Sequence, residues 1–243
     1  MQKSIIKYIV HDFKTSIITF IVVIVAILIF AGTMVFTANE VSFNGVGFAC
    51  MIFMFVAALS TLPMGIRYMN QSGFSRKTAY KNYVVSFALI SFGISLVIQV
   101  LLLLTSFAIP KSVNVNVGSE YNLLFGGTVA NSFIPSVGWL FFAVFFLSSV
   151  GFFISMLYQK MDKTTKIGVS CGVPIFFAIV FPLIDVGLFG GVIYKAFFKA
   201  FMFICGFYDG NAYPLLSMGM FLAISIIIYA ITYFWLVRKL NFK

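Results

Sequence analysis

The groups in this chain that could do chemistry are few and far apart: one histidine, three cysteines and six acids among 243 residues. An intramembrane enzyme needs paired carboxylates, a histidine cluster or a Ser/Lys pair held inside its spans, and none of these is present. His11 stands alone on the polar side of the N-terminal segment, where a solvated surface role is expected. Cys50, Cys171 and Cys205 sit singly within or beside apolar stretches, with no CxxC or Cys/His spacing. They are expected to be packing residues, and neither a metal site nor a disulfide framework is expected. The phosphate-cradling pattern GxxxxGK[ST] is absent, as is any Gly-Lys dipeptide. No enzymatic activity and no cofactor are expected in this chain.

The chemistry that remains is cationic. Residues Arg67 to Tyr83, RYMNQSGFSRKTAYKNY, are dense in basic and aromatic side chains. Gly73 breaks a helix there, Phe74 offers an apolar anchor, and Ser75 can cap a following turn that contains Arg76, Lys77 and Tyr80. The expected product is a short cationic helix projecting from two apolar neighbours, a shape suited to passing force from a soluble partner. Lys195 and Lys199, one helical turn apart, could meet lipid headgroups or acidic cargo.

The elements that must position these residues are apolar helices. With 62% hydrophobic and 9% charged residues and a mean hydropathy of +1.09, a soluble domain is excluded. Six stretches are long enough to cross a bilayer, which takes about 20 apolar residues each. They lie near Ile17 to Phe36, Gly45 to Ile66, Tyr83 to Ile109, Ile134 to Leu157, Ile167 to Ile184 and Pro214 to Val237. Threading the chain through them puts every basic residue except Lys111, Lys195 and Lys199 on the side of the N-terminus. Glu40, Glu120, Asp185 and Asp209 fall opposite. The positive-inside rule then predicts cytoplasmic termini. The net charge of +10 is topological, matched to anionic headgroups, and no nucleic acid is expected as a partner.

Within this all-α membrane fold, a single domain over 1–243, three segments stand apart. Residues 1–15 show helical periodicity, with Lys3, Lys7, His11 and Lys14 on one face and Ile5, Ile6, Ile9 and Phe13 on another. They form either an interfacial helix or an extension of the first crossing. The apolar run that follows is too long for a signal peptide and is expected to be retained. Residues 67–82 form the cationic loop. Residues 185–213 are apolar but interrupted by Gly187, Gly190, Gly191, Lys195 and Lys199, and are expected to be a re-entrant or interfacial segment on the outer side, followed by a turn at Asp209 to Asn211 and a last helix starting at Pro214. Pro174 and Pro182 make the fifth crossing the least regular. The predicted crossings hold no Asp, Glu, Lys or Arg, which argues against ion coupling. Ser60, Thr61, Ser91, Ser95, Gln99, Thr105, Ser148, Ser149 and Ser155 are candidates for a translocation path.

The Gly73-Phe74-Ser75-Arg76-Lys77 run after the second of six spans, the basic N-terminal segment and the outer stretch before the last span together resemble the membrane-spanning permeases of type 2 ATP-binding-cassette exporters. The likeness covers the whole chain in architecture and about ten residues as a motif. It implies that Gly73, Phe74, Ser75, Arg76 and Lys77 form a coupling helix against a separate cytoplasmic ATPase, which would bind ATP and Mg. It also implies that Lys3 to Lys14 form a connecting helix, and that a second permease copy or paralogue completes a dimer. Permeases of this kind in Gram-positive bacteria export, or confer resistance to, bacteriocins, antimicrobial peptides and phenol-soluble-modulin-like toxins. The expectation is a multi-pass subunit of the bacterial cell membrane that exports an amphipathic molecule, with a peptide or peptide toxin as the leading class. A lipid or hydrophobic-drug exporter is the alternative, and a non-transporting scaffold or sensor is the competing class.

Overall fold

Long apolar runs become long helices because, away from water, each backbone N–H and C=O must find its partner within the segment. The computed structural model describes residues 2–34, 40–43, 45–71, 75–108, 114–129 and 131–239. The long helices are α1 (Gln2–Met34), α2 (Val46–Gln71), α3 (Arg76–Ala108), α5 (Phe133–Lys160) and α9 (Pro214–Lys239); shorter ones are α4 (Glu120–Phe125), α6 (Lys163–Ile175), α7 (Phe181–Phe189) and α8 (Val192–Ile204). Among the described residues, four helices carry apolar windows long enough to cross a membrane: Phe13–Phe30, Lys77–Phe107, Phe133–Gln159 and Pro214–Phe234. This is a multi-pass, α-helical membrane protein.

Helix α5 is the centre. It packs against α2, α3, α4 and α9, and it buries Trp139, Leu140, Ala143, Val144, Phe145, Phe152 and Met156. Apolar side chains occupy all its faces, the pattern of a helix surrounded by others. Small residues set how closely α2 approaches: a Cβ on Gly151 would stand 2.6 Å from the Phe55 carbonyl oxygen and 3.1 Å from Ala58 Cβ. The cross-contacts also give directions. Trp139 Nε1 donates to Ser217 Oγ at 3.0 Å, while the rings of Phe152 and Tyr229 lie 5.8 Å apart. Residue numbers thus rise together, and α5 and α9 run parallel. Phe92 against Phe141 and Tyr80 against Phe152 make α3 antiparallel to α5. The bundle therefore has a basic end, with Lys77, Lys81 and Lys160, and an opposite end.

Three expectations meet the structure in detail. Gln2–Met34 is one unbroken helix, so of the two forms open to the N-terminal segment it takes the extension of the first apolar helix. Helices α2 and α3 reach Gln71 and begin at Arg76, so Arg67, Arg76, Lys77 and Lys81 of the cationic stretch lie on helices rather than in a loop. The Arg76 turn is the start of α3 itself, not a separate short helix. Hydropathy marks where lipid would end, whereas a helix of Arg, Lys, Met and Gln continues past that boundary without penalty.

At the opposite end, Glu40–Phe43 (β1) pairs in parallel with Asn114–Val117 (β2), and Phe207–Tyr208 (β3) pairs with Asn211–Ala212 (β4). Asp209 and Gly210, at φ 48° and 79°, make the tight hairpin turn that a two-residue loop requires. Between α6 and α7, Phe176–Val180 is a π-helical turn. It falls between Pro174 and Pro182, where missing donors interrupt the usual ladder. Helix α6 meets α5 through Tyr158 Oη and Ser170 Oγ, 2.9 Å apart, and Ile167, Val173, Ile175, Phe177 and Ile179 are exposed.

Candidate functional site

The basic end is built around the first two turns of α3. Ser75 precedes the helix, its Oγ accepting from the Thr78 N–H at 3.3 Å and lying 2.8 Å from Thr78 Oγ1. This is the N-cap arrangement that the sequence predicts. Gly73 and Phe74 lie outside the described residues. Arg76 is the first residue of α3, and Lys77 is exposed.

One turn beyond the cap, α3 is locked to the bundle. The Tyr80 hydroxyl donates to the Tyr229 carbonyl at 2.5 Å and lies 2.7 Å from Thr232 Oγ1. Its ring meets Phe152 at 5.5 Å and Tyr233 at 5.4 Å. The Tyr229 hydroxyl lies 3.4 Å from Ser148 Oγ. A buried hydrogen bond between helices has no water to compete with it, so α3, α5 and α9 are joined here. Beside the lock runs an open groove of about 380 Å³ lined by Lys77, Tyr80, Lys81, Val84, Val85, Tyr229 and Tyr233. No protein-family model matches this chain, and no curated protein or solved structure matches it either.

At the opposite end, two acids hold helix N-termini. The Gly47 N–H donates to Glu120 Oε1 at 2.5 Å, which puts a carboxyl from α4 on the start of α2. An oxygen acceptor suits that position because free N–H groups of the first turn point at it. Glu120 is 1% exposed. Burial pushes its carboxyl up from the ordinary value, while its own amide and those of Gly47, Phe48 and Gly45 pull it back. A side chain on Gly47 would overlap this carboxyl, so glycine is required there.

Asp185 does the same for α8. Its Oδ1 accepts from Ile193 N–H at 3.1 Å, and its Oδ2 from Tyr194 N–H at 2.7 Å. Gly190 and Gly191, at φ 62° and 78°, make the reversal between α7 and α8, since left-handed backbone costs glycine little. Replacing Asp185 by alanine would leave both amides without acceptors at a cost of about 1–2 kcal/mol. Amide exchange at Ile193 and Tyr194 should then accelerate while α5 stays protected; unchanged exchange would contradict the cap.

The hairpin presents α8 as an exposed helix. Phe197, Phe198 and Phe201 are exposed, as are Lys195 and Lys199. A groove of about 580 Å³ between α8, the β3–β4 hairpin and α9 is lined by Lys199, Phe203, Phe207, Tyr208, Asp209 and Met220 among others. Lys199 thus faces α9. Lys195 and Lys199 lie on α8, whose N-terminus is held by Asp185 of α7.

The candidate path residues are mostly engaged within their own helices. Ser60 and Thr61 donate to the Ala57 carbonyl, Ser95 to Ser91, Thr105 to Leu101, Ser148 to Phe145 and Ser149 to Phe146. Ser155 reaches across to the Leu59 carbonyl of α2 at 3.0 Å. Ser91 and Gln99 are buried inside the bundle. These bonds serve the packing of their own helices. Among the described residues no group of three His, Cys, Asp or Glu could hold a metal. The residues that sequence reasoning missed are Glu120, Tyr229 and Thr232, whose partners lie 73, 149 and 152 positions away.

Proposed function

We propose that the chain is the membrane-spanning subunit of an ATP-driven exporter in a bacterial cell membrane. It crosses six times with both termini cytoplasmic, and pairs with a separate ATP-binding-cassette ATPase and a second permease copy or paralogue. ATP and Mg belong to the ATPase, and the cargo is amphipathic, with a peptide or peptide toxin as the leading class. The observation that carries this reading is the joint at the basic end. The Ser75 cap opens α3, Arg76 and Lys77 follow in its first turn, and Tyr80 then ties that helix to α9 and α5. Force applied to the start of α3 would reach three helices at once.

Six crossings are supported by direction. Helix α5 ends at the basic end, and the parallel helix α9 starts at the other, so the intervening chain has to return. The helical run from Lys163 to Phe189, through α6, the π turn and α7, is about 40 Å long at 1.5 Å per residue, enough to cross. Helix α2, of 26 residues, supplies the sixth.

The test is to co-purify the protein with the products of its neighbouring genes, assay the eluate for ATPase activity, and compare wild type with Phe74→Ala and Arg76→Glu. Each substitution should reduce recovered ATPase about tenfold or more, the effect expected of losing a central contact, while the permease itself elutes unchanged. Full retention of the ATPase by both variants would remove 73–77 from the contact. Absence of any nucleotide-hydrolysing partner would favour a scaffold or sensor.

A further inference from the structure

We propose that the groove between α3 and α9 at the basic end is a binding site for an anionic phospholipid, its phosphate held between Lys77 and Lys81 and an acyl chain lying along Val84, Val85 and Tyr233. The proposal goes beyond the exporter reading and needs only that α3 and α9 cross a membrane.

The charge of the groove is one-sided. Lys77 and Lys81 stand one helical turn apart and are both exposed, so their amines share a face. The lining contains no carboxylate. Beneath the lysines the walls turn apolar: Val84, Val85 and the rings of Tyr80, Tyr229 and Tyr233. The Tyr80 hydroxyl is already bonded to Tyr229 and Thr232, so its ring is fixed in place as part of a rigid floor.

Depth decides what such a groove can hold. Helix α3 has 33 residues and is about 50 Å long, against about 30 Å of hydrocarbon. Centred in the bilayer, it places Lys81 about 16 Å from the midplane, at the edge of the hydrocarbon, and Lys77 about 6 Å further out among the headgroups. Val84 and Val85 fall about 12 and 10 Å from the midplane, at acyl-chain depth. A cationic mouth at phosphate depth above an apolar trough matches a phospholipid. Free phosphate would use the lysines and leave the valines and Tyr233 unfilled. Basic pockets between helices on the cytoplasmic side are where anionic headgroups collect.

The full-length protein in mild detergent is titrated with phosphatidylglycerol or phosphatidylcholine, and bound lipid is counted by native mass spectrometry. Phosphatidylglycerol should bind about twenty-five-fold more tightly, the product of two lysines contributing about five-fold each at a membrane surface. Lys77→Gln with Lys81→Gln should erase that preference, whereas Lys77→Arg with Lys81→Arg, and Lys195→Gln with Lys199→Gln, should keep it. Inorganic phosphate at equal concentration should displace none of the lipid; displacement would reassign the site to a free anion and overturn the proposal. Equal binding of the two lipids, or an undiminished preference in the glutamine pair, overturns it as well. If the glutamine pair fails to give a monodisperse protein, Lys81→Gln alone decides, with a five-fold loss expected and no loss counting against.

Discussion

Gly151→Ala should destabilise the bundle by about 3 kcal/mol, because its new methyl would sit 2.6 Å from the Phe55 carbonyl oxygen, a backbone atom that cannot swing away. Helices in lipid associate through close backbone approach at small residues, and α2 can yield only by separating from α5. That separation would also strain the Ser155 bond to the Leu59 carbonyl. The matched control is Gly93→Ala in α3, where an added Cβ meets nothing within 4 Å and the gain in helix propensity should leave stability equal or slightly higher. Thermal unfolding in detergent, followed by fluorescence-detected size exclusion, separates the two. Equal melting temperatures for the two alanine variants would show that the α2–α5 contact is not limiting.

The second large effect is expected at Glu120. Glu120→Ala removes the acceptor from the start of α2 and leaves buried amides unpaired, a loss of about 2–3 kcal/mol. Glu120→Gln keeps an acceptor near Gly47 and should cost about 1 kcal/mol or less. The two should also differ from wild type in pH dependence. Burial holds the folded carboxyl above its ordinary value of 4.5, so the protonated group favours the folded state. Its stabilising contribution is fully present below that ordinary value and is lost as pH rises through the higher folded one. Wild-type melting temperature should therefore decline as pH rises above about 4.5, and the decline should be smaller in Glu120→Gln. A decline of equal size in both would place the responsible group elsewhere.

Much of the helix punctuation was legible from local chemistry. Ser75 caps α3, Pro214 begins α9, the Asp209–Asn211 turn closes a hairpin, and the prolines around 174–182 bracket the irregular π turn. Each of these depends on neighbours within a few positions. The lengths of α1, α2 and α3 were not legible, because apolar runs report the lipid boundary and say nothing about where a polar helix frays. The β1–β2 pair was also missed: EVSF and NVNV both alternate polar and apolar residues with the period of a strand, but each is only four residues long and its partner lies about 70 positions away. Of the site, the cap and the lysine positions were readable, while the partners that give Glu120 and Tyr80 their roles come from distant segments. Asp185 was read only as the start of the outer segment, and the paired left-handed glycines after it are the one hint that its carboxylate turns back onto α8.

The unbroken length of α3 has a mechanical consequence. From the lock at Tyr80 to Ala108 the helix is a rod of 28 residues, about 42 Å long. Pivoting on that lock by about 10° would sweep the far tip through about 7 Å. The short arm on the other side of the fulcrum, from Tyr80 back to Arg76, would travel about 1 Å. The chain beyond the long arm leads to β2, which is hydrogen-bonded to β1 and so to the chain that leaves α1. Were α3 to pivot there, a small displacement at the basic end would be geared up about sevenfold on its way to the opposite surface.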